Sequence, residues 1–122
     1  REQMVDITEP VQAAVEDAGI ADGVVHLWSM HTTCGLTVNE GADPDVARDI
    51  VAHFARLAPR DAGFRHAEGN SDSHIKTLMA GPGLTLLVED GRLVLGTWQR
   101  AFLCEWDGPR TRAIALRVVP AH

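Results

Sequence analysis

Residues 84–119 read LTLLVEDGRLVLGTWQRAFLCEWDGPRTRAIALRVV, and this stretch decides the fold class. Its apolar runs are typical of strands, and two turn signals interrupt them, Asp90-Gly91 and Asp107-Gly108-Pro109. We therefore predict a three-stranded antiparallel meander at the end of the chain. Gly96 lies inside the middle run, where a glycine suggests a bulge.

Three helices are predicted before this meander. The first opens at Thr8, which we expect to be its N-cap, and ends at Gly19. The second opens at Asp43-Pro44-Asp45, and the third begins at Asn70 or Ser71. Residues at helical spacing mark the expected buried face of the second helix: Val46, Ile50, His53, Phe54 and Leu57. The third helix is expected to carry His74, Ile75, Leu78 and Met79.

Residues 23–39 change to a β pattern. They predict two strands, or one long strand bent at Gly35, with His31 at the far end of the element. Helices lie at the front and middle of the chain and strands at its end, so we predict an α+β fold rather than a doubly wound sheet. At 122 residues, the whole chain is expected to form one domain, residues 1–122.

Composition narrows the function classes. The formal net charge of −6 argues against nucleic-acid binding, which usually needs a basic surface. No apolar run is long enough to span a membrane, and no secretory signal is visible, so we expect a cytoplasmic protein. Cys34 and Cys104 lack metal-ligand spacing and are expected to be reduced and buried. After these exclusions, the expected partner is a small molecule or another protein.

The segment H66-A-E-G-N-S-D-S-H74 is the densest polar stretch. Imidazole and carboxylate groups are the ligand set of zinc and related divalent ions. If His31 projects toward the same place, three imidazoles converge with His66 and His74, leaving an open coordination position for water or substrate. The alternative is that each histidine is a surface or hydrogen-bonded residue and that Asn70 simply begins a helix.

Two further polar patches have both a functional and a structural interpretation. Asn39 and Glu40 could orient a histidine of the site, or could form a turn and a cap. Trp98 could form the wall of a pocket, with Gln99 and Arg100 binding an anionic group, or could be a core residue beside a solvated arginine. We interpret the remaining histidines as structural: His26, His53 and His122.

With these segments in view, the sequence resembles the YjbQ-like family, a family of unknown function also labelled secondary thiamine-phosphate synthase. The resemblance is carried by four blocks in order, which cover nearly everything from Asp6 to Val119: H31-T-T-C-G-L-T-V-N-E40 with A42-D-P44, H66-A-E-G-N70 with D72-S-H-I-K76, G91-R-L-V-L-G-T-W-Q-R100, and E105-W-D-G-P-R110. Family members usually have more chain before Asp6, so the opening strand is expected to be truncated here.

The resemblance implies a compact α+β domain on a mixed, partly barrel-like or sandwich-like sheet with about three helices. It also implies a homotrimer with a site near the subunit boundary. His31, His66 and His74 match the motif histidines of the family, and we carry them over as metal ligands. Matching polar positions without assigned roles are Glu68, Asn70, Asn39, Glu40 and Gln99.

Two hypotheses follow. The first is a metal-binding enzyme, with zinc the favoured ion, acting on a small phosphorylated or heterocyclic substrate. Its reaction would be weak thiamine-phosphate synthesis or metal-assisted hydrolysis, with Glu68 as general base. Candidates for holding phosphates are Lys76, Arg92 and Arg100, and Trp98 is the candidate wall for a planar ring. The second is a non-enzymatic trimeric module that binds a small ligand or a protein and uses the histidines structurally.

Overall fold

The computed structural model describes residues 1–122, and it confirms the α+β class with three helices among seven strands. The elements, in chain order, are β1 Gln3–Asp6, α1 Thr8–Ala18, β2 Gly23–Ser29, β3 Cys34–Glu40, α2 Pro44–Leu57, α3 Ser71–Ala80, β4 Gly83–Glu89, β5 Arg92–Leu93, β6 Gln99–Glu105 and β7 Ile114–Pro120. No helix has both the length and the apolar character needed to cross a membrane.

The strands form two antiparallel sheets with the orders β1-β6-β3 and β5-β4-β2-β7. Both sheets and α1 contribute side chains to one core, so the arrangement is sandwich-like. The buried apolar residues of this core are Val11, Val15, Val25, Leu27, Leu36, Leu86, Val88 and Ala101. The single core agrees with the prediction of one compact domain.

The predicted terminal meander is wrong. The Asp90-Gly91 turn does join β4 to β5, but β5 ends at Leu93 and β6 belongs to the other sheet. Gly96 begins a turn instead of a bulge: its N–H donates to the side chain of Gln99 at 2.7 Å, and the Gln99 N–H returns to the Gly96 carbonyl at 3.0 Å. This turn carries the chain from one sheet to the other. The last strand, β7, returns to the sheet of β4 and β5 and pairs with β2 instead of β6.

The helix boundaries agree with the prediction, but one cap does not. Asp43 caps α2 by accepting a hydrogen bond from the Asp45 N–H at 2.9 Å. Thr8 is not the N-cap of α1; it is the first helical residue, and its hydroxyl accepts from the Ala101 N–H at 2.8 Å. The α2 face is only half-buried: His53 and Leu57, both predicted to be buried, are exposed, Leu57 at 59%.

Helix α3 buries polar side chains and exposes an apolar one, the reverse of the usual arrangement. Its fully or nearly fully buried residues are polar or charged, namely Asp72, Ser73, Lys76 and Thr77, whereas Leu78 is 81% exposed. The Asp72 carboxylate accepts from Lys76 at 2.8 Å and from both terminal nitrogens of Arg1. Glu2 lies 3.0 Å from the Lys76 ammonium group. We call Arg1, Glu2, Asp72 and Lys76 the buried ion cluster; it fixes α3 against the start of the chain.

Cys34 and Cys104 are buried and unpaired, as predicted. Burial raises the pKa of the Cys104 thiol to about 12, with a smaller contribution from nearby Cys34. This thiol is therefore protonated at neutral pH and is a poor nucleophile. Neither side chain lines the cavities described below.

Candidate functional site

A polar cavity of about 420 Å³, which we call the histidine pocket, collects side chains from three connections and one helix. Residues 30–33 between β2 and β3 form one wall, and the loop before α3 forms the second. The loop between β6 and β7 supplies the third. The lining includes His31, His66, Glu68, Asn70, His74, Arg110 and Arg112. All three predicted histidines therefore lie around one cavity.

The backbone directly before β7 holds the His31 side chain in place. Its Nε2 accepts a hydrogen bond of 2.7 Å from the Ala113 N–H, while the backbone N–H of His31 itself donates to the Ser29 hydroxyl at 3.3 Å. An imidazole nitrogen that accepts a hydrogen bond carries no proton, so the ring proton lies on Nδ1. As placed, His31 offers other partners only this Nδ1 group.

His66 and His74 are the two imidazoles that come together. Their ring centroids lie 5.5 Å apart with the rings edge to face. Glu68 lies beside His66, with its carboxylate 3.9 Å from His66 Nε2 and its side chain 74% exposed. The loop that carries His66 and Glu68 is exposed throughout residues 59–69.

Asn70 is positioned by the β6–β7 loop. Its Nδ2 donates to the Asp107 carboxylate at 2.9 Å, so the side chain does not cap α3 although Asn70 is the N-cap residue. Its Oδ1 is buried and has no hydrogen-bond partner. A buried acceptor without a partner is costly in free energy, which is typical of a binding site rather than of a simple helix start.

Arg110 and Arg112 are pocket residues that sequence reasoning missed. Arg112 is nearly buried; it pairs with both carboxylate oxygens of Glu105 and donates to the hydroxyl of Thr33 at 2.8 Å. Arg110 is half-exposed and pairs with Asp107 at 3.0 Å. The available signal was the pair of arginines directly after the predicted Asp107-Gly108-Pro109 turn, close to two acidic residues.

Both arginine charges are already neutralised within the protein. Burial alone would raise the pKa of Glu105, but the hydrogen bonds from Arg112 outweigh it and lower that pKa. Asp107 behaves in the same way: burial raises its pKa, and hydrogen bonds from Asn70 and Arg110 lower it. Each guanidinium therefore faces an ionised carboxylate, and the pocket carries little free positive charge.

The structure does not bring the other predicted site residues to this pocket. In the β3–β6 ladder, Cys34 pairs with Glu105 beside the pocket, whereas Glu40 pairs with Gln99 at the opposite end. The six residue steps of β3 between these ends span roughly 20 Å. The distant group comprises Asn39, Glu40, Gln99 and Arg100, together with Trp98, whose carbonyl accepts a hydrogen bond from the Gly41 N–H.

Several of these distant or buried residues have structural partners. Arg100 pairs with Asp6 at 2.7 Å and with Glu9 at 3.0 Å. The Glu40 carboxylate accepts from the backbone N–H groups of Ala42 and Asp43, which agrees with the turn-forming interpretation. Lys76 is 1% exposed within the buried ion cluster and lines neither the histidine pocket nor its neighbour.

The donor set fits a divalent metal ion in part. No three histidine, cysteine, aspartate or glutamate side chains are arranged to share one ion. His66 and His74 have the chemistry and the proximity of a ligand pair for an ion of the zinc group. His31 does not fit as placed, because its Nε2 lone pair is engaged by Ala113.

The family model described as UPF0047 protein YjbQ-like matches residues 1–121. A UPF0047 protein of Methanocaldococcus jannaschii is 42% identical over 119 residues, covering 98% of this chain and 86% of the relative. YugU of Bacillus subtilis is 42% identical over 120 residues, covering 98% and 91%. Both relatives are UPF0047 proteins, and neither name states an activity.

Solved structures agree with this relationship. An uncharacterised conserved protein of the same family from Clostridium acetobutylicum superposes with a TM-score of 0.95 at 42% identity, covering 97% of this chain and 92% of that one. A conserved hypothetical protein from Thermus thermophilus gives a TM-score of 0.91 at 51% identity, with 97% and 92% coverage. The fold, the motif blocks and the full-length match agree: this chain belongs to the YjbQ-like UPF0047 family.

Proposed function

We propose that the histidine pocket binds a small phosphorylated substrate together with a divalent cation, zinc being the expected ion. The observation that carries this proposal is the convergence of His31, His66 and His74 on one polar cavity, although His31 is far in sequence from the segment that holds the other two. A cavity of about 420 Å³ is large enough for a small molecule. The reaction would be a thiamine-phosphate-synthase-like transfer or a metal-assisted hydrolysis.

The charge balance supports a cation in addition to the arginines. A phosphate monoester brings negative charge, but Arg110 and Arg112 are paired with Asp107 and Glu105. Further positive charge must therefore enter with the substrate or from bound metal. His66 and His74 would hold the ion, and its charge would stabilise a phosphate or diphosphate group.

The other pocket residues have defined tasks in this proposal. Arg110 is half-exposed at the rim and can turn toward a phosphate oxygen. Glu68 would act as general base on water, because its carboxylate is exposed beside His66. Asn70, fixed by Asp107, would bind a donor group of the substrate through its unpartnered Oδ1 after a small adjustment. Lys76 would hold α3 in place rather than contact substrate.

We also propose that the chain assembles into a homo-oligomer, with a trimer as the expected state. At the Gly23 end of β2, where Val24 pairs with both neighbours, the outer face of the β5-β4-β2-β7 sheet exposes apolar side chains, including Leu87 at 57% and Val119 at 39%. The catalytic and substrate-binding roles expected for Arg100, Trp98, Gln99, Asn39 and Glu40 would require a neighbouring copy, because these residues lie at the far end of β3 and β6. Sedimentation equilibrium measures the mass directly.

The deciding experiment is metal content by elemental mass spectrometry on tag-free protein, followed by calorimetric titration with inorganic phosphate. We expect about one zinc or similar ion per chain and its loss in the His66→Ala/His74→Ala variant. The matched control is His26→Ala/His53→Ala, which removes two exposed histidines outside the pocket. A metal-free parent after incubation with zinc, manganese, nickel and magnesium, or equal metal content in both double variants, would refute the metal site.

One observation favours the second candidate, a non-enzymatic binding module. His31 is used to fix the backbone at Ala113, and Arg112 is used to fix Thr33, so two pocket residues have structural tasks. A module of this kind would bind phosphate without converting any phosphate ester. Release of inorganic phosphate from a panel of phosphate esters separates the two candidates.

A further inference from the structure

A second, more apolar cavity of about 510 Å³ adjoins the histidine pocket. Its walls are Trp28, Met30, Leu78 and Pro82, and we call it the apolar lobe. The two cavities share Met30, His31, Thr32 and His74 as lining residues. His31 and His74 therefore lie at the boundary between the two cavities.

The walls of the apolar lobe are unusually exposed for such side chains. Leu78 is 81% exposed, Met30 is 61% exposed and Trp28 is 54% exposed. Leu78 stands on the outward face of α3, whose inward face is occupied by the buried ion cluster. The polar interior of α3 thus places an apolar side chain on the surface, one helical turn from His74.

The Trp28 indole is seated by a glycine. Trp28 on β2 pairs with Gly83 on β4, and a Cβ atom at Gly83 would lie 3.0 Å from Cε3 and 3.2 Å from Cζ3 of the indole. The ring therefore rests against β4 where any side chain would press on it. This contact presents a large aromatic surface in a fixed position, which reduces the entropy lost when a ring packs on it.

We infer that the apolar lobe is the subsite for a planar ring carried by the phosphorylated substrate, and that Trp28 is the residue that selects for this ring. The inference rests on the proposed function, because the phosphate end is placed in the histidine pocket. It moves the ring-binding role away from Trp98, which directly precedes β6 at the end far from the histidine pocket. The ligand class is an aryl or heteroaryl phosphate, with its ring on Trp28 and its phosphate near His66 and His74.

Continuity between the cavities favours this occupant over a second copy of the chain. His31 and His74 line both cavities, so whatever fills the apolar lobe stands directly beside the imidazoles. A protein surface packed on Trp28 and Leu78 would close one side of the histidine pocket. A ring joined to a phosphate uses both cavities at once.

The test is calorimetric titration of the purified protein with 1-naphthyl phosphate and, separately, with inorganic phosphate. We expect the parent to bind 1-naphthyl phosphate at least 10-fold more tightly than phosphate. Trp28→Ala should weaken the binding of 1-naphthyl phosphate about 10-fold, in line with the loss of one aromatic stacking contact, and should leave the affinity for inorganic phosphate unchanged. Leu78→Ser should act in the same direction. Leu57→Ser is the matched control for Leu78→Ser, because Leu57 is also an exposed leucine on a helix, at 59%, lines neither cavity, and should change neither affinity.

The outcomes separate this inference from the proposed function. If the parent binds phosphate and His74→Ala abolishes this binding, but the parent does not bind 1-naphthyl phosphate more tightly than phosphate, only the apolar subsite is overturned. If the parent binds neither compound, both proposals fail. If Trp28→Ala or Leu78→Ser lowers the mass in sedimentation equilibrium, the apolar lobe is an interface between copies and the ring subsite is overturned. Circular dichroism establishes that each variant is folded.

Discussion

The buried ion cluster makes a quantitative prediction about acid stability. Burial alone would raise the pKa of Asp72, but hydrogen bonds from Arg1 and Lys76 outweigh it and lower the pKa from 3.8 to about 2. At 1.36 kcal/mol per pKa unit, this difference corresponds to about 2.4 kcal/mol of stability. Because the folded-state pKa lies below the unfolded one, the contribution is present above about pH 4. It is lost as the pH falls through 3.8 toward about 2.

Substitution of the carboxylate should cost more than this pH-dependent part. Asp72→Asn keeps the shape but leaves Arg1 without its two-pronged partner and Lys76, 1% exposed, with Glu2 alone. Removing one member of a buried ion pair typically costs about 3–5 kcal/mol, because the remaining charge stays buried without full compensation. We expect a loss in this range at pH 7.

The assay is urea unfolding followed by circular dichroism between pH 7 and pH 2. The control is Asp45→Asn, which removes an exposed partner of Arg48 and should cost less than about 0.5 kcal/mol. The parent should lose stability more steeply than Asp72→Asn below pH 4, since other carboxylates titrate equally in both proteins. A loss below about 1 kcal/mol at pH 7, or parallel pH profiles below pH 4, would refute the reasoning.

Three further predictions concern the surroundings of the pocket. Arg112→Met should speed hydrogen exchange in residues 30–33, because Arg112 is bonded to Thr33; unchanged exchange would contradict the tethering role. Gly35→Ala should lower stability by at least 1 kcal/mol in urea unfolding, because its Cβ would lie 2.8 Å from the Gly81 carbonyl oxygen; a neutral effect would mean that α3 yields easily. Cys34 and Cys104 should react with a thiol reagent only after unfolding, and rapid reaction of the native protein would contradict their burial.

Local signals predicted the helices and turns well. Asp43-Pro44-Asp45 begins α2, and Asp90-Gly91 forms the β4–β5 turn, because caps and tight turns depend on neighbouring residues. The distribution of strands between sheets depends on distant partners. Nothing near Gln99 indicates that β6 joins β1 and β3 rather than β5, so the predicted meander failed.

The site shows the same division. His31, His66 and His74 were selected by residue type and spacing, and they line one cavity. Trp98 and Arg100 were chosen by the same kind of reasoning, yet the β3–β6 register places them far from it. Arg110 and Arg112 were missed because their proximity to the histidines arises only when β7 pairs with β2. Leu78 could not be placed outward without knowing that Arg1 and Glu2 occupy the inner side of α3.

The bonds that hold His31 in place also set the order in which the pocket can form. His31 is bonded to Ala113, 82 residues later, and Thr33 is bonded to Arg112, 79 residues later. During synthesis, the segment between β2 and β3 therefore leaves the ribosome long before its anchors exist. Contacts of such sequence separation form late and slow the folding reaction. The pocket can therefore be completed only after Ala113 has been made, and a chain interrupted before Ala113 would possess all three histidines but no fixed position for the first of them.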